Sequence, residues 1–151
     1  SEAYVELKMQ DVSAITSTDN YHLLDTGSPH YVALKSGLDT IDMNAEGAKI
    51  RNSKPFSATG INVNFAEKMD DATFSVRTYE RGVEAETLSC GTGVTAVAIA
   101  MFHSNQTAST SIKLETQGGV LQVRFEPLPS LYSEVWLCGP TKQVFKAELE
   151  W

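Results

Sequence analysis

The segment "LSCGTGVTAVAIAMF" sets a thiol, Cys90, directly before Gly-Thr-Gly and a run that has almost no polar residues. The spacing predicts a helix that starts at Cys90, and the first N–H groups of a helix have no partner inside it. Together with the helix dipole they favour an anion, so a thiol there is expected to titrate below the usual value of about 8.5. Gly91 and Gly93 leave the backbone bare, which lets a ligand carboxylate reach the N–H groups of Gly91, Thr92 and Gly93, with the Thr92 hydroxyl as a further donor. A thiolate beside such a nest suits removal of a proton from the carbon next to a carboxylate, because the new charge develops on the oxygens that the nest holds. The same residues also fit a plain packing role, since free cysteines are often buried and glycines permit close approach; both readings stand on these residues alone. Cys138, in "SEVWLCGP", lies in a strand pattern before an expected Gly-Pro turn and reads as a core thiol.

The elements that must position Cys90 are mostly strands. In "AYVELKM" Val5, Leu7 and Met9 alternate with polar neighbours, which predicts a strand with one buried face. "YHLLDTG" and "HYVALK" follow, bent apart at Gly27 and Pro29, and "DMNAEGAKIRN" is the one helix expected in the first half. "INVNFAE" places Ile61, Val63 and Phe65 on one face and the amides Asn62 and Asn64 on the other, outward one. "TFSVRTYE", "SIKLETQ", "VLQVRFE", "YSEVWLC" and "QVFKAEL" complete the strand patterns, broken at Gly119, at Pro127 with Pro129, and at Gly139-Pro140. A helix that is apolar all round must be enclosed. Many strands and one such helix predict an α+β fold, a strongly curved, mostly antiparallel sheet or barrel wrapped around a central apolar helix.

With 151 residues, 42% apolar and 21% charged, the chain is expected to form a single domain over residues 1–151, without disorder or membrane spans. A net charge of −7 argues against a nucleic-acid partner. The start "SEAYVELKMQ" lacks the zones of an export signal, so a cytoplasmic protein is expected. His22, His30 and His103 are scattered and the two cysteines are far apart, so neither a metal site nor a disulfide framework is expected.

"YERGVEAETLSCGTG" resembles the second active-site signature of the diaminopimelate epimerase family, E-R-G-x-G-E-T-x-x-C-G-[ST]-G. "TGSPHYV", "GAKIR", "GINVNF", "GGVLQV" and "VWLCGPTKQVF" follow the order and approximate spacing of that family's C-terminal half. The resemblance implies a cofactor-independent isomerase that interconverts LL- and meso-diaminopimelate, in lysine and peptidoglycan precursor synthesis, with one cysteine on each face of the reacting carbon. Cys90 matches the cysteine of the second half. The first half's C-G-N-G type motif is absent, so the chain resembles the C-terminal catalytic half of a protein about twice its length, whose partners are diaminopimelate and its own N-terminal half; a homodimer is also compatible. By the same resemblance His30 and Glu80 assist ionisation of the thiols, and Glu80, Gly91 and Thr92 line the substrate. Asn62 and Arg81 match residues that recognise its distal end, where a guanidinium suits a carboxylate. No role carries over to Asn64.

Two departures stand out. The family's G-N-P-H reads Gly27-Ser28-Pro29-His30, and the stretch between Arg81 and Cys90 is one residue longer, with "VEAET" lacking the second glycine. Another two-thiol enzyme, such as a proline or hydroxyproline racemase, is the nearest alternative, although it would not need Arg81 and Asn62. A non-catalytic ligand-binding or assembly module that keeps half a site is the alternative from another class.

Overall fold

The computed structural model describes residues 2–150. Ten strands are present: β1 Glu2–Lys8, β2 Ile15–Ser17, β3 His22–Asp25, β4 Pro29–Leu34, β5 Asn62–Lys68, β6 Thr73–Glu80, β7 Ala85–Thr87, β8 Ser111–Thr116, β9 Gly119–Leu128 and β10 Leu131–Lys142. They join in one sheet of order β1-β10-β9-β8-β6-β5-β4-β3-β2, with β7 paired to β6 alone. Two neighbouring pairs, β4 with β5 and β6 with β8, are parallel; the others are antiparallel. The sheet curls so far that Val12, between the two edge strands, bridges to Tyr132 and enters the core.

Helix α2, Gly91–His103, runs through the curl and touches β3, β4, β5, β6, β8, β9 and β10. Nine of its residues, Gly93 through Met101, are buried. Enclosing each large side chain, such as Val97, Ile99 and Met101, stabilises the fold by about 2 kcal/mol, which offsets a cost of about 1 kcal/mol for each glycine in the first turn. The helix ends in a Schellman motif: Asn105 adopts φ 58, and the Gln106 N–H reaches Met101 O at 2.9 Å.

Helix α1, Met43–Arg51, is capped by Asp42, whose side chain accepts from Ala45 N. With a 3₁₀ turn at Leu38–Thr40, it covers the other face of β4 and β5 and builds a second core around Tyr31, Leu38, Met43, Val63, Phe65 and Tyr79. These two central strands are therefore buried on both faces.

Several sequence expectations need correction. Asn62 and Asn64 do not face outward: they point toward the start of α2 and are 6% and 0% exposed. Val5 and Leu7 lie in a strand as expected but remain 44% and 54% exposed. Their register explains this, since Leu7 pairs with Leu137, Leu137 with Val123 and Val123 with Ile112, a row that runs out of the core past the end of α2. Gly139-Pro140 is not a turn, because β10 continues through it to pair with β1, and β9 likewise runs through Pro127. "QVFKAEL" forms no strand; residues 143–150 pair with nothing described and expose Val144, Phe145 and Leu149. Cys138 is a buried core thiol, as expected. Among the described residues no helix is long and apolar enough to cross a membrane.

Candidate active site

Cys90 is the residue before α2, in extended conformation, and its side chain does not cap the helix. No carbonyl or side-chain oxygen of the described residues accepts from the N–H groups of Gly91, Thr92 or Gly93. Three elements converge on this helix start. The turn between β3 and β4 is tied to it by Thr26, whose hydroxyl donates to Thr92 O at 2.7 Å. Ser28, at the end of this turn, and His30, on β4, bring Oγ and Nε2 to 3.4 and 2.9 Å from Thr92 Oγ1. The Thr92 hydroxyl lies in turn 3.5 Å from Cys90 Sγ. His30 thus reaches the thiol through Thr92.

From β5, Asn62 donates to Ser28 Oγ and Pro29 O and accepts from the Arg81 N–H at 2.9 Å, so both ends of its amide are engaged inside the chain. It acts as a clamp between β4 and the turn after β6. Beside it, Asn64 bonds His30 Nδ1, Tyr31 O and the Thr78 hydroxyl. From β6, Glu80 accepts from the Thr87 hydroxyl at 2.5 Å, which pins the carboxylate by the short β6–β7 pairing. Arg81 is exposed, with one guanidinium nitrogen on Thr59 O. The Ser28 hydroxyl fits directly into this polar group, which accounts structurally for the shorter residue there.

The electrostatics correct one expectation. Burial pushes the Cys90 thiol up from its ordinary range; the Glu80 carboxylate adds to the rise, while the Thr92 hydroxyl and the Gly93 and Thr92 N–H groups oppose it. The helix start does assist a thiolate, but desolvation outweighs it, so the resting group is a thiol. Burial also holds the His30 imidazole down to about 4, with Asp25 opposing and Arg81 adding to the shift. His30 is therefore neutral at neutral pH.

Clefts of 340 Å³ beside Arg77 and Gln117 and of 400 Å³ beside His22 and Ser104 touch none of these residues. Cys90 itself is half-buried at the start of α2. At Gly91 an added Cβ would meet Leu137 Cδ2 at 2.9 Å, and Leu137 belongs to an apolar face with Val5, Leu7 and Leu121.

The profile of the family described as "Diaminopimelate epimerase" matches residues 22–129. The chain belongs to the diaminopimelate epimerase family. It is 45% identical over 145 residues to the diaminopimelate epimerase of Flavobacterium psychrophilum, covering 96% of this chain and 57% of that one. With the diaminopimelate epimerase of Chlorobaculum tepidum it shares 39% over 131 residues, 86% of this chain and 50% of the relative. The chain spans about half the length of the curated relatives it matches. A hydroxyproline epimerase from Agrobacterium vitis, solved with trans-4-hydroxy-L-proline, has a similar fold, with a TM-score of 0.61 at 15% identity over 93% of this chain and 50% of that one. A probable proline racemase from Agrobacterium radiobacter has a TM-score of 0.55 at 13% identity, over 95% and 54%.

Against the diaminopimelate epimerase signature, Glu84 stands where the second glycine is usual, and it adopts φ 58, a left-handed conformation that favours glycine. Its side chain accepts from Gly82 N, Tyr79 OH and Arg51, and these contacts hold the turn. Residues 81–84 form this turn, and Glu80 pairs with Ala85 across it. Glu86 is gripped by the Arg77 fork at 2.6 and 2.8 Å, so the β6–β7 hairpin keeps Glu80 against the helix start. Sequence reasoning missed the parts that Asn64 and Thr78 play here; the signal was the alternation of two amides opposite a helix with no polar face.

Proposed function

We propose that the chain is one catalytic half of a cofactor-independent diaminopimelate epimerase, with Cys90 serving one face of the substrate α-carbon. The second thiol then belongs to the part of the family's length that this chain does not span. The observation that carries the reading is the polar group gathered at an uncapped helix start around a thiol that rests protonated. Inversion needs an acid on one face and a base on the other. With the partner thiolate as base, the α-proton leaves to that sulfur and the C–H electron pair moves into the substrate carboxylate. The N–H groups of Gly91, Thr92 and Gly93 meet the charge that develops there. Cys90 then gives its S–H proton to the opposite face, and the pair returns to form the new C–H bond. The partner ends as a thiol and Cys90 as a thiolate, stabilised by the Thr92 hydroxyl and the helix start; the reverse reaction exchanges the roles.

The exposed Arg81 guanidinium is the group suited to the distal carboxylate of diaminopimelate. Asn62 supports it by holding the Arg81 backbone rather than by offering a free amide. A substrate without a second carboxylate, as in proline-type racemases, leaves Arg81 without a role. The apolar face of Val5, Leu7 and Leu137 beside Gly91 supports docking of the N-terminal half across the site. Product would feed lysine and peptidoglycan precursor synthesis in the cytoplasm.

The test is to assay LL-diaminopimelate with the chain alone and with the chain combined with the N-terminal part of the Flavobacterium psychrophilum relative, separating isomers chromatographically. Meso product is expected only from the combination. Meso product from the chain alone, with host enzyme excluded, would overturn the half-site reading, as would a combination that binds yet stays inactive.

A further inference from the structure

Asn64 is fully buried and has three partners. Its Nδ2 lies 3.0 Å from Tyr31 O and 2.9 Å from His30 Nδ1, and its Oδ1 lies 2.9 Å from Thr78 Oγ1. A backbone carbonyl can only accept, so the amide nitrogen must face Tyr31, which settles the orientation of the carboxamide. One of its two hydrogens serves Tyr31; the other points at His30 Nδ1. That ring nitrogen therefore carries the lone pair, and the imidazole proton sits on Nε2. From Nε2 the N–H is given to Thr92 Oγ1 at 2.9 Å, or shared with Ser28 Oγ at 3.1 Å. Thr92 Oγ1, once it accepts from the ring, is left with its own hydrogen to donate, and Cys90 Sγ lies 3.5 Å away. Ser28 Oγ already receives a hydrogen from Asn62 and lies within reach of the His30 N–H, so the Thr92 hydrogen is directed to the sulfur.

The amide's seat is exclusive. An added Cβ on Gly93 would lie 2.4 Å from Asn64 Oδ1, so the glycine admits the carboxamide beneath the helix start. We propose that Asn64 is a positioning residue that holds His30 in its Nε2-protonated tautomer and thereby turns the Thr92 hydroxyl into a hydrogen-bond donor to Cys90. The polarity of the chain runs one way, from Asn64 through His30 and Thr92 to the sulfur. The charged groups around it are Asp25 at the end of β3, Glu80 at the end of β6 and Arg81 in the following turn; none of them touches Asn64, His30 or Thr92 directly. The low titration of His30 agrees with a ring kept neutral. The proposal deepens the reading of Cys90 as the reacting thiol, but it is measured without substrate, so its failure is separate from failure of the epimerase assignment.

Chain labelled with ¹⁵N-histidine is to be examined by long-range ¹⁵N–¹H NMR, and the pH profile of Cys90 alkylation recorded alongside. His30 is expected as the Nε2–H tautomer in the unsubstituted protein. In Asn64→Asp the side chain can only accept, so the proton moves to Nδ1, Nε2 becomes an acceptor, and Thr92 turns its hydrogen from the sulfur to the ring. The alkylation midpoint is then expected to rise by about one pH unit. In a Thr92→Val background the same substitution should still move the tautomer but no longer the thiol midpoint. A mere charge effect of the new carboxylate would persist in that background, and such persistence would overturn the proposal. So would an Nδ1–H tautomer in the unsubstituted chain, a measurement that needs no variant to fold.

Discussion

His30 sits in the core of the site with every ring nitrogen engaged, and its neutrality has a consequence for acid stability. Its folded pKa, held to about 4, lies below the ordinary 6.5, so the unfolded chain binds the extra proton first. The contribution is present in full above pH 6.5 and is lost as pH falls toward 4, on the order of 3 kcal/mol across the window. Urea unfolding at stepped pH should show that loss, and His30→Gln should flatten it; equal slopes in both would contradict a buried neutral imidazole. At this scale the sequence made Cys90, Thr92 and Glu80 legible through one signature and His30 through the separate stretch "TGSPHYV". It did not reveal that burial raises the thiol or that Asn62 is consumed inside the chain, because both depend on which face of β5 meets α2. That face is decided by the second core, which claims Val63 and Phe65 on the other side.

Helix α1 shows how packing overrides propensity. Gly47 lies in its interior, where alanine would favour the helix by about 1 kcal/mol. An added Cβ would lie 2.4 Å from Tyr79 Cβ, an atom next to the backbone of β6 that cannot swing aside. Overpacking costs about 1–3 kcal/mol, so Gly47→Ala is expected to destabilise the chain by up to about 2 kcal/mol net in denaturant titration. A gain in stability would show that β6 yields at this point. Both helices and every strand except the three-residue β2 and β7 were readable from period-two and apolar patterns. What was misread was the exposed face of β1, the Gly139-Pro140 stretch and the last pattern, where a face or a strand needs a neighbour that local sequence does not specify. Pro140 does not break β10, because the strand has by then passed the end of its pairing with β9 at Cys138 and Gln122, and one of its sides is unpaired there.

Across the whole molecule the curl closes around α2 but leaves the inner face of β1 and β10 uncovered at the end where Cys90 sits. Val5 and Leu7 are exposed on it. Placing a charge there, as in Leu7→Glu, should change the stability of the chain by no more than about 0.5 kcal/mol, as for an ordinary surface substitution. Binding of the N-terminal half should weaken at least tenfold, on the order of 1.4 kcal/mol, if this face is a buried part of the contact. Unchanged binding in a titration would move the docking surface elsewhere.

The proposed role of Cys90 as one of two opposed thiols is tested most directly by solvent label. The chain combined with the N-terminal part of the Flavobacterium psychrophilum relative is given LL-diaminopimelate in deuterated water, and early meso product and remaining substrate are analysed by mass spectrometry. Meso product should carry one deuterium at the inverted carbon while unreacted LL substrate stays largely unlabelled, because removal and delivery use different sulfurs. With Cys90→Ala, meso formation should stop, and exchange should survive from only one of the two isomers, the one whose proton the remaining thiolate can reach. Undiminished meso formation by Cys90→Ala, or equal label in substrate and product from the first turnovers, would contradict the account.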